Sequence, residues 1–219
     1  MEEAREVQSR VGWVNENPIT QERGTLLIDP GASDGLFAGL LELGPEARVV
    51  GEHFHPGLHE RFRVLAGTLA MTLDGVQSTV TAGEMVDIPP GVVHDWWNAG
   101  GAPASVLVWV DPGQRFLELI STLFGLARTG RTNAKGMPDP LQLAVIATEF
   151  RETVVFSRPP QILQRTVLPA LAALGRARGR KAIYPEFQQP VEVVVPDPEL
   201  IELAERHRPG PRTVPSGTS

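Results

Sequence analysis

Histidine and carboxylate residues concentrated in one part of the sequence constrain this chain more than any other feature. The chain has five histidines, and four of them lie between residues 53 and 94. His53 and His55 are separated by one residue and followed by Glu60, and His94 ends the stretch. Imidazole and carboxylate groups are ligands for Zn, Fe, Ni and Cu, and carboxylate also suits Mn. The pattern predicts one divalent transition metal per chain.

The spacing of these residues suggests how they meet. Successive side chains of a strand point to opposite faces, so the two histidines of the first pattern share a face. Residues 60–65 alternate as a second strand, and Pro56-Gly57 between the strands predicts a turn. A hairpin there would bring the carboxylate back to the two histidines. We expect four ligands with one or two open coordination positions, as in catalytic metal sites: His53, His55, Glu60 and His94.

The remaining histidines have other interpretations. His59 neighbours Glu60 in sequence and is expected to face the opposite way. An alternative is that His59 replaces His55 or Glu60 as a ligand, or supports a ligand from outside the coordination shell. His207 lies in a polar tail, where we expect it to be inert.

These residues also carry a family resemblance. The pair of patterns resembles the two signature motifs of the cupin superfamily. The first family motif, G-x5-H-x-H-x3-4-E-x6-G, is matched by His53, His55, Glu60 and Gly67. The second, G-x5-P-x-G-x2-H-x3-N, is matched by Gly83, Pro89, Gly91, His94 and Asn98. The leading glycine of the first motif is replaced by Ala47, which affects a turn and not the ligands. The resemblance covers roughly residues 30–112, and two motifs in order are far more specific than one H-x-H.

The resemblance implies a fold and an activity. The fold is a jelly-roll β-barrel, which agrees with about nine or ten short strands separated by Gly, Pro and Asp between residues 11 and 111. Among these strands, the Asp74-Gly75 pair predicts a hairpin turn. The three-His, one-Glu set implies a dioxygenase of the quercetinase-like kind, in which Glu60 is a ligand and a catalytic proton acceptor. An isomerase or lyase on the same scaffold is an alternative. Another is a non-catalytic sensor or storage module with a structural metal. Cupins also commonly pair, so a homodimer is expected.

Composition excludes several classes of function. The formal net charge of −6 offers no electrostatic footprint for nucleic acid. The absence of cysteine excludes disulfides, thiolate metal sites and cysteine nucleophiles. The acidic start of the sequence does not resemble a secretory signal, and no apolar stretch is long enough to span a bilayer. We therefore expect a cytoplasmic protein whose partner is a small molecule.

The sequence pattern changes after the predicted barrel. We divide the chain into a cupin barrel over residues 1–112, a helical extension over 113–187 and a Pro-rich, partly disordered tail over 188–219. The extension is expected to pack on the barrel or on a partner subunit. The basic run at residues 176–181 of this extension is interpreted as a solvated helix end. Attachment of the run to a membrane surface is an alternative. Helical spacing predicts helices over residues 114–127, 139–156, 162–177 (bent or interrupted at Pro169) and 197–207. Asp139 is the predicted N-cap of the second helix.

The predicted substrate pocket is apolar. Side chains that share the ligands' face of the strands should line it: Phe62, Val64, Leu69, Met71, Leu73 and Trp96. Arg61 and Arg63 fall on the other face, so we expect no cation and no second carboxylate in the pocket. An apolar or aromatic small molecule suits such a lining better than a sugar phosphate. The alternative interpretation of these side chains is ordinary barrel core.

Overall fold

The computed structural model describes residues 9–48, 51–158 and 160–209. Short runs of alternating apolar and polar residues form ten strands between residues 13 and 111, in agreement with the nine or ten predicted. Their bounds are β1 Trp13–Asn17, β2 Glu22–Ile28, β3 Phe37–Leu43, β4 His53–Phe54, β5 His59–Ala66, β6 Thr68–Leu73, β7 Val76–Thr81, β8 Met85–Ile88, β9 His94–Asn98 and β10 Ala104–Asp111. Two later strands, β11 Val155–Phe156 and β12 Glu192–Val193, join the same sheets.

The strands form two antiparallel sheets. The first has the order β12-β1-β2-β3-β10-β5-β8, and the second has the order β11-β4-β9-β6-β7. A hairpin at Asp74-Gly75 joins β6 to β7, and both turn residues have positive φ (46° and 81°). This backbone suits Asp-Gly and confirms the turn predicted there. The mainly β fold with helices at its C-terminal side is therefore as expected.

The core lies between the two sheets. Alternate residues of β5, Phe62 and Val64, point inward and are buried with Val106 of β10. Leu69 and Met71 of β6 meet them from the second sheet. Burial of large apolar side chains from both sheets holds the sheets face to face, because removing apolar surface from water is the main favourable term in folding.

One predicted pairing is wrong. No hairpin forms at Pro56-Gly57, because β4 and β5 belong to different sheets. Both edges of β5 are occupied, one by β10 and the other by β8, so β4 has no free edge to join there. β4 pairs with β9 and β11 instead. The turn therefore carries the chain across from one sheet to the other.

Four helices follow the strands or lie among the late ones: α1 Gln114–Arg128, α2 Pro140–Glu149, α3 Gln161–Ala177 and α4 Pro198–Arg206. The Asp139 side chain accepts hydrogen bonds from the amides of Leu141 and Gln142, so the predicted N-cap is confirmed. α2 is shorter than predicted, because the β-branched segment after Phe150 turns away and Val155 pairs with β4. α3 runs through Pro169 without interruption.

The C-terminal segments fold back on the strands. α1 packs along β1, and α4 covers the outer face of β2 and β10, where the Trp109 indole donates to the Ala204 carbonyl (2.9 Å). The short helix predicted over residues 197–207 is thereby confirmed. The end of the predicted disordered tail, residues 210–219, lies outside the described residues. In the described part of the chain, no helix has both the length and the hydrophobicity needed to cross a membrane.

Candidate metal centre

The four predicted ligands lie together. His53 is on β4, His55 follows it in the connection, Glu60 is on β5, and His94 opens β9 directly opposite His53. One ligand atom of each residue falls in a group in which all are within 4.8 Å of one another. Glu60, His55 and His94 are buried, and His53 is the most exposed of the four. The two sheets together therefore build the site, with each sheet contributing at least one ligand.

His59 lies outside this group. Its Nε2 is 3.2 Å from Asp87 Oδ1 on the other face of β5, which Arg61 shares. The opposite orientation expected from its position next to Glu60 is observed. His207 is not isolated in the tail, because its imidazole contacts the Arg63 guanidinium on that same outer face. The expectation that it lies in a separate polar tail is corrected, since α4 brings residues 207–208 back onto β5.

Backbone carbonyls orient the three imidazoles. Nδ1 of His53 donates to the carbonyl of Gly51 (2.9 Å), and Nδ1 of His94 donates to that of Val92 (2.9 Å). Nδ1 of His55 donates to the carbonyl of Thr153 (2.5 Å). A carbonyl oxygen can only accept, so each Nδ1 carries the hydrogen and each Nε2 is left with a lone pair. Metal-binding histidines are commonly fixed by such a hydrogen bond on the other ring nitrogen.

The atoms at the centre of the group fit a cation. Nε2 of His94 lies 3.0 Å and Nε2 of His55 lies 3.3 Å from the same oxygen of Glu60, Oε2. All three atoms are buried without a hydrogen-bond partner among the described residues. Facing lone pairs at this distance require a cation, either a proton or a metal ion, between them. A divalent metal satisfies all four groups at once, and its ligands would be His53, His55, Glu60 and His94.

The protonation states of the cluster follow from its crowding. Burial and the neighbouring imidazoles lower the pKa of His53 to about 4. Burial opposes ionisation of Glu60, but the facing His55 and His94 outweigh it and hold the pKa of Glu60 well below its usual range. Burial acts to lower the pKa of His55, yet the Glu60 carboxylate raises it overall. Glu60 and His53 are thus already in the forms that bind a metal near neutral pH.

A cavity of about 140 Å³ opens next to the cluster. It lies between α1 and the inner face of the seven-stranded sheet, and His53 and Glu60 line it. Of the predicted pocket residues, Phe62 and Trp96 line this cavity, with ring centroids 5.3 Å apart. The other predicted pocket residues lie in the core beneath, with Leu73 packed against it and three fully buried: Val64, Leu69 and Met71.

The cavity also contains charged residues that the sequence analysis missed. Arg10 and Glu22 both line it, so the expectation of no cation and no second carboxylate is wrong. The Arg10 guanidinium is neutralised by Asp29, 2.6 Å away. Glu22 is buried, and its parity with Gly24 and Leu26 on β2 could have placed it on the inner face.

A segment of the helical extension contacts the candidate metal centre. β11 pairs with β4 so that Phe156 lies opposite His53, and the Ser157 amide donates to the Glu52 carbonyl (3.0 Å). This pairing places the Thr153 carbonyl on His55. The sequence had assigned these residues to a helix, so nothing in it indicated their contact with the ligands.

Comparisons with known proteins agree with this geometry. The family model described as Cupin domain matches residues 39–110, which include all four clustered residues. Protein SchB of Streptomyces halstedii is 31% identical over 113 residues, which cover 49% of this chain and 80% of that protein.

Two solved structures are also similar. A sugar phosphate isomerase from a cupin superfamily of Silicibacter pomeroyi is 26% identical, with a TM-score of 0.39 over 42% of this chain. The match spans 60% of that isomerase. An RmlC-like cupin from Shewanella frigidimarina is 18% identical, with a TM-score of 0.40, and the match covers 47% of this chain and 86% of that one.

Proposed function

The chain belongs to the cupin superfamily, and from this premise we propose that it is a metal-dependent enzyme acting on a small apolar or aromatic molecule. The proposed activity is that of a dioxygenase of the quercetinase-like kind. One observation carries the proposal: three imidazoles and a carboxylate converge with their ligand atoms within 4.8 Å of one another, and two of them, His53 and Glu60, line a cavity with aromatic side chains. A purely structural metal would not need two of its ligands on a cavity wall.

The lining of the cavity supports an aromatic substrate. Phe62, Trp96 and Phe116 surround the end near the cluster, and the Phe116 ring lies 6.2 Å from that of His55. Flat apolar rings pack on such a lining edge to face. The wall therefore orients an aromatic molecule with its polar edge toward the four ligands and excludes water from the reacting atoms.

Glu60 has a second role in the proposal. When bound, a redox metal supplies a position for the substrate oxygen and a route to dioxygen chemistry. Glu60 lines the cavity, and a carboxylate oxygen that is not bound to the metal can accept the proton of a substrate enol.

The test begins with metal analysis. Protein purified without added metal is analysed by elemental mass spectrometry, and we expect about one Fe, Mn, Ni or Cu per chain. Oxygen uptake is then measured on adding 3-hydroxyflavone as an aromatic enol, with apoprotein as the control. Firmly bound zinc with no oxygen uptake would instead support the non-catalytic alternative, and consumption of the probe without oxygen would support an isomerase or lyase.

We also propose the molecular organisation that the sequence suggested. The two sheets close into the jelly-roll barrel of residues 1–112, the extension of residues 113–187 packs on it, and the chain forms a homodimer. Exposed apolar side chains support pairing of two copies: Val193 lies on the edge strand β12, and Val195 follows that strand. Light scattering after size exclusion tests the homodimer, and a monomeric mass at high concentration would refute it.

A further inference from the structure

The cavity is long, and its two ends differ from its middle. α1 begins beside the metal centre, where Phe116 meets His55, and ends where the Arg128 guanidinium donates to Asn15 on β1 (3.3 Å). Between Phe116 and Phe124, both of which line the cavity, the helix rises about 12 Å. The cavity therefore extends along most of α1, away from the metal ligands.

The end far from the metal is polar. Glu22 at the start of β2 lines the cavity there, and so does Asn15 of the neighbouring β1, which lies opposite Gly24. Ser121 of α1 adds a hydroxyl from the opposite wall. The wall between the two ends is apolar and includes Leu26, Leu41 and Ile120.

Glu22 is an unusual residue for such a position. It is 7% exposed, and the Thr20 hydroxyl donates to its Oε2. No lysine or arginine of the described chain forms an ion pair with it. Burial of an ionised carboxylate without a neighbouring cation costs free energy, so such a residue is rarely kept for stability alone. Burial raises the pKa of Glu22 to about 7, so both the acid and the carboxylate are present near neutral pH.

We propose that Glu22 forms a second binding subsite, which recognises a hydroxyl group at the far end of an elongated, apolar ligand whose other end reaches the metal centre. A hydroxyl is the matching group because it can accept from the acid and donate to the carboxylate. The subsite rests on the proposed function for its orientation of the ligand. It narrows the substrate class to molecules with two polar ends separated by about 12 Å of apolar body, which is the rise of α1 along the cavity.

The test uses a matched pair of probes. The catechol of 4-(6-hydroxyhexyl)catechol can bind the metal, and its terminal hydroxyl then lies near the far end. 4-Hexylcatechol lacks only that hydroxyl. Binding is measured with zinc-loaded protein, which does not turn the probes over, by quenching of tryptophan fluorescence from Trp13 and Trp96 on the cavity wall.

In native protein the hydroxylated probe should bind more tightly than 4-hexylcatechol. The variant Glu22→Leu should reduce this preference about tenfold, which is the effect of one lost hydrogen bond. Glu22→Gln should keep most of the preference, because an amide also donates and accepts. Glu42→Gln removes the same charge from the outer face of β3 and should leave the ratio unchanged.

The chain length of the probe gives a measurement that needs no variant. With a propyl chain the hydroxyl cannot reach Glu22, so it should no longer favour binding. A ratio that is the same for both chain lengths and for Glu22→Leu would overturn the subsite, as would a failure of any catechol to bind. A Glu22-dependent ratio without oxygen uptake by the native protein would leave the subsite standing and refute the dioxygenase.

Discussion

Glu60 and Glu22 line the same cavity and are both buried, with exposed fractions of 3% and 7%, yet they differ in protonation. Burial favours the neutral form of each. At Glu60 two imidazoles outweigh burial and keep the carboxylate ionised. At Glu22 only the Thr20 hydroxyl opposes burial, and the pKa rises to about 7.

The groups that the fold places beside each glutamate therefore determine whether its side chain is ionised. The second sheet brings His94 to Glu60, whereas a hydroxyl from the β1–β2 turn is the partner of Glu22. One end of the cavity is thereby prepared to hold a metal ion. The other end can exchange a hydrogen bond with a neutral group.

The largest expected effect is the loss of metal when one of its four predicted ligands is removed. His94→Ala takes away one of four ligands, so metal content should fall at least tenfold, while far-UV circular dichroism stays close to that of the wild type. His59→Ala is the matched control, since His59 faces Asp87 outside the group. Metal content that is equal in wild type and His94→Ala would refute the ligand assignment.

The next expected effect is on stability and comes from replacing Glu22, which removes the difference in protonation between the two glutamates. Burial raises the pKa of Glu22 from its ordinary value of 4.5 to about 7, so the folded state holds the proton more tightly than the unfolded chain does. The free energy of unfolding is therefore unaffected by Glu22 below the ordinary pKa, and it falls as the pH rises from the ordinary pKa toward the folded one. Between about pH 4 and pH 8, Glu22→Gln should therefore gain about 3 kcal/mol of stability relative to wild type.

Urea unfolding of metal-free protein at the two pH values measures this gain. Glu42→Gln, an exposed glutamate on β3, should show no such pH dependence relative to wild type. A difference between Glu22→Gln and wild type that stays constant with pH would show that Glu22 ionises in the fold as it does in water.

Local patterns predicted much of the fold. Alternation and turn residues predicted about nine or ten strands before residue 112, close to the ten observed, because each strand is encoded by its own short run. The Asp74-Gly75 hairpin and the Asp139 cap were predictable for the same reason. Pairing between distant strands was not. The free edge that β4 takes depends on which edges β10 and β8 already occupy, and no local signal contains that information.

The candidate site divides in the same way. Ligand type and spacing brought His53, His55, Glu60 and His94 into one prediction, and the structure places them together. The Thr153 carbonyl on His55 lies 98 residues away in sequence, in a segment whose apolar spacing resembles a helix. The position of Glu22 on a cavity wall depends on how α1 packs across β1, which only the folded chain defines.

The smallest expected effect comes from loss of the hydrogen bond between His55 and the Thr153 carbonyl. Val155→Pro removes the amide hydrogen of β11 and should disrupt its pairing with Phe54, so that Thr153 no longer fixes the His55 ring. Metal affinity should weaken about tenfold, as expected when the hydrogen bond behind a ligand is lost. Val155→Ala keeps the amide and should bind metal like the wild type. Competition titration with a chelator measures both affinities. Equal affinity of the two variants would mean that β4 and β9 orient the histidines without help from the helical extension, whereas weaker binding by Val155→Pro alone would make the extension part of the metal centre.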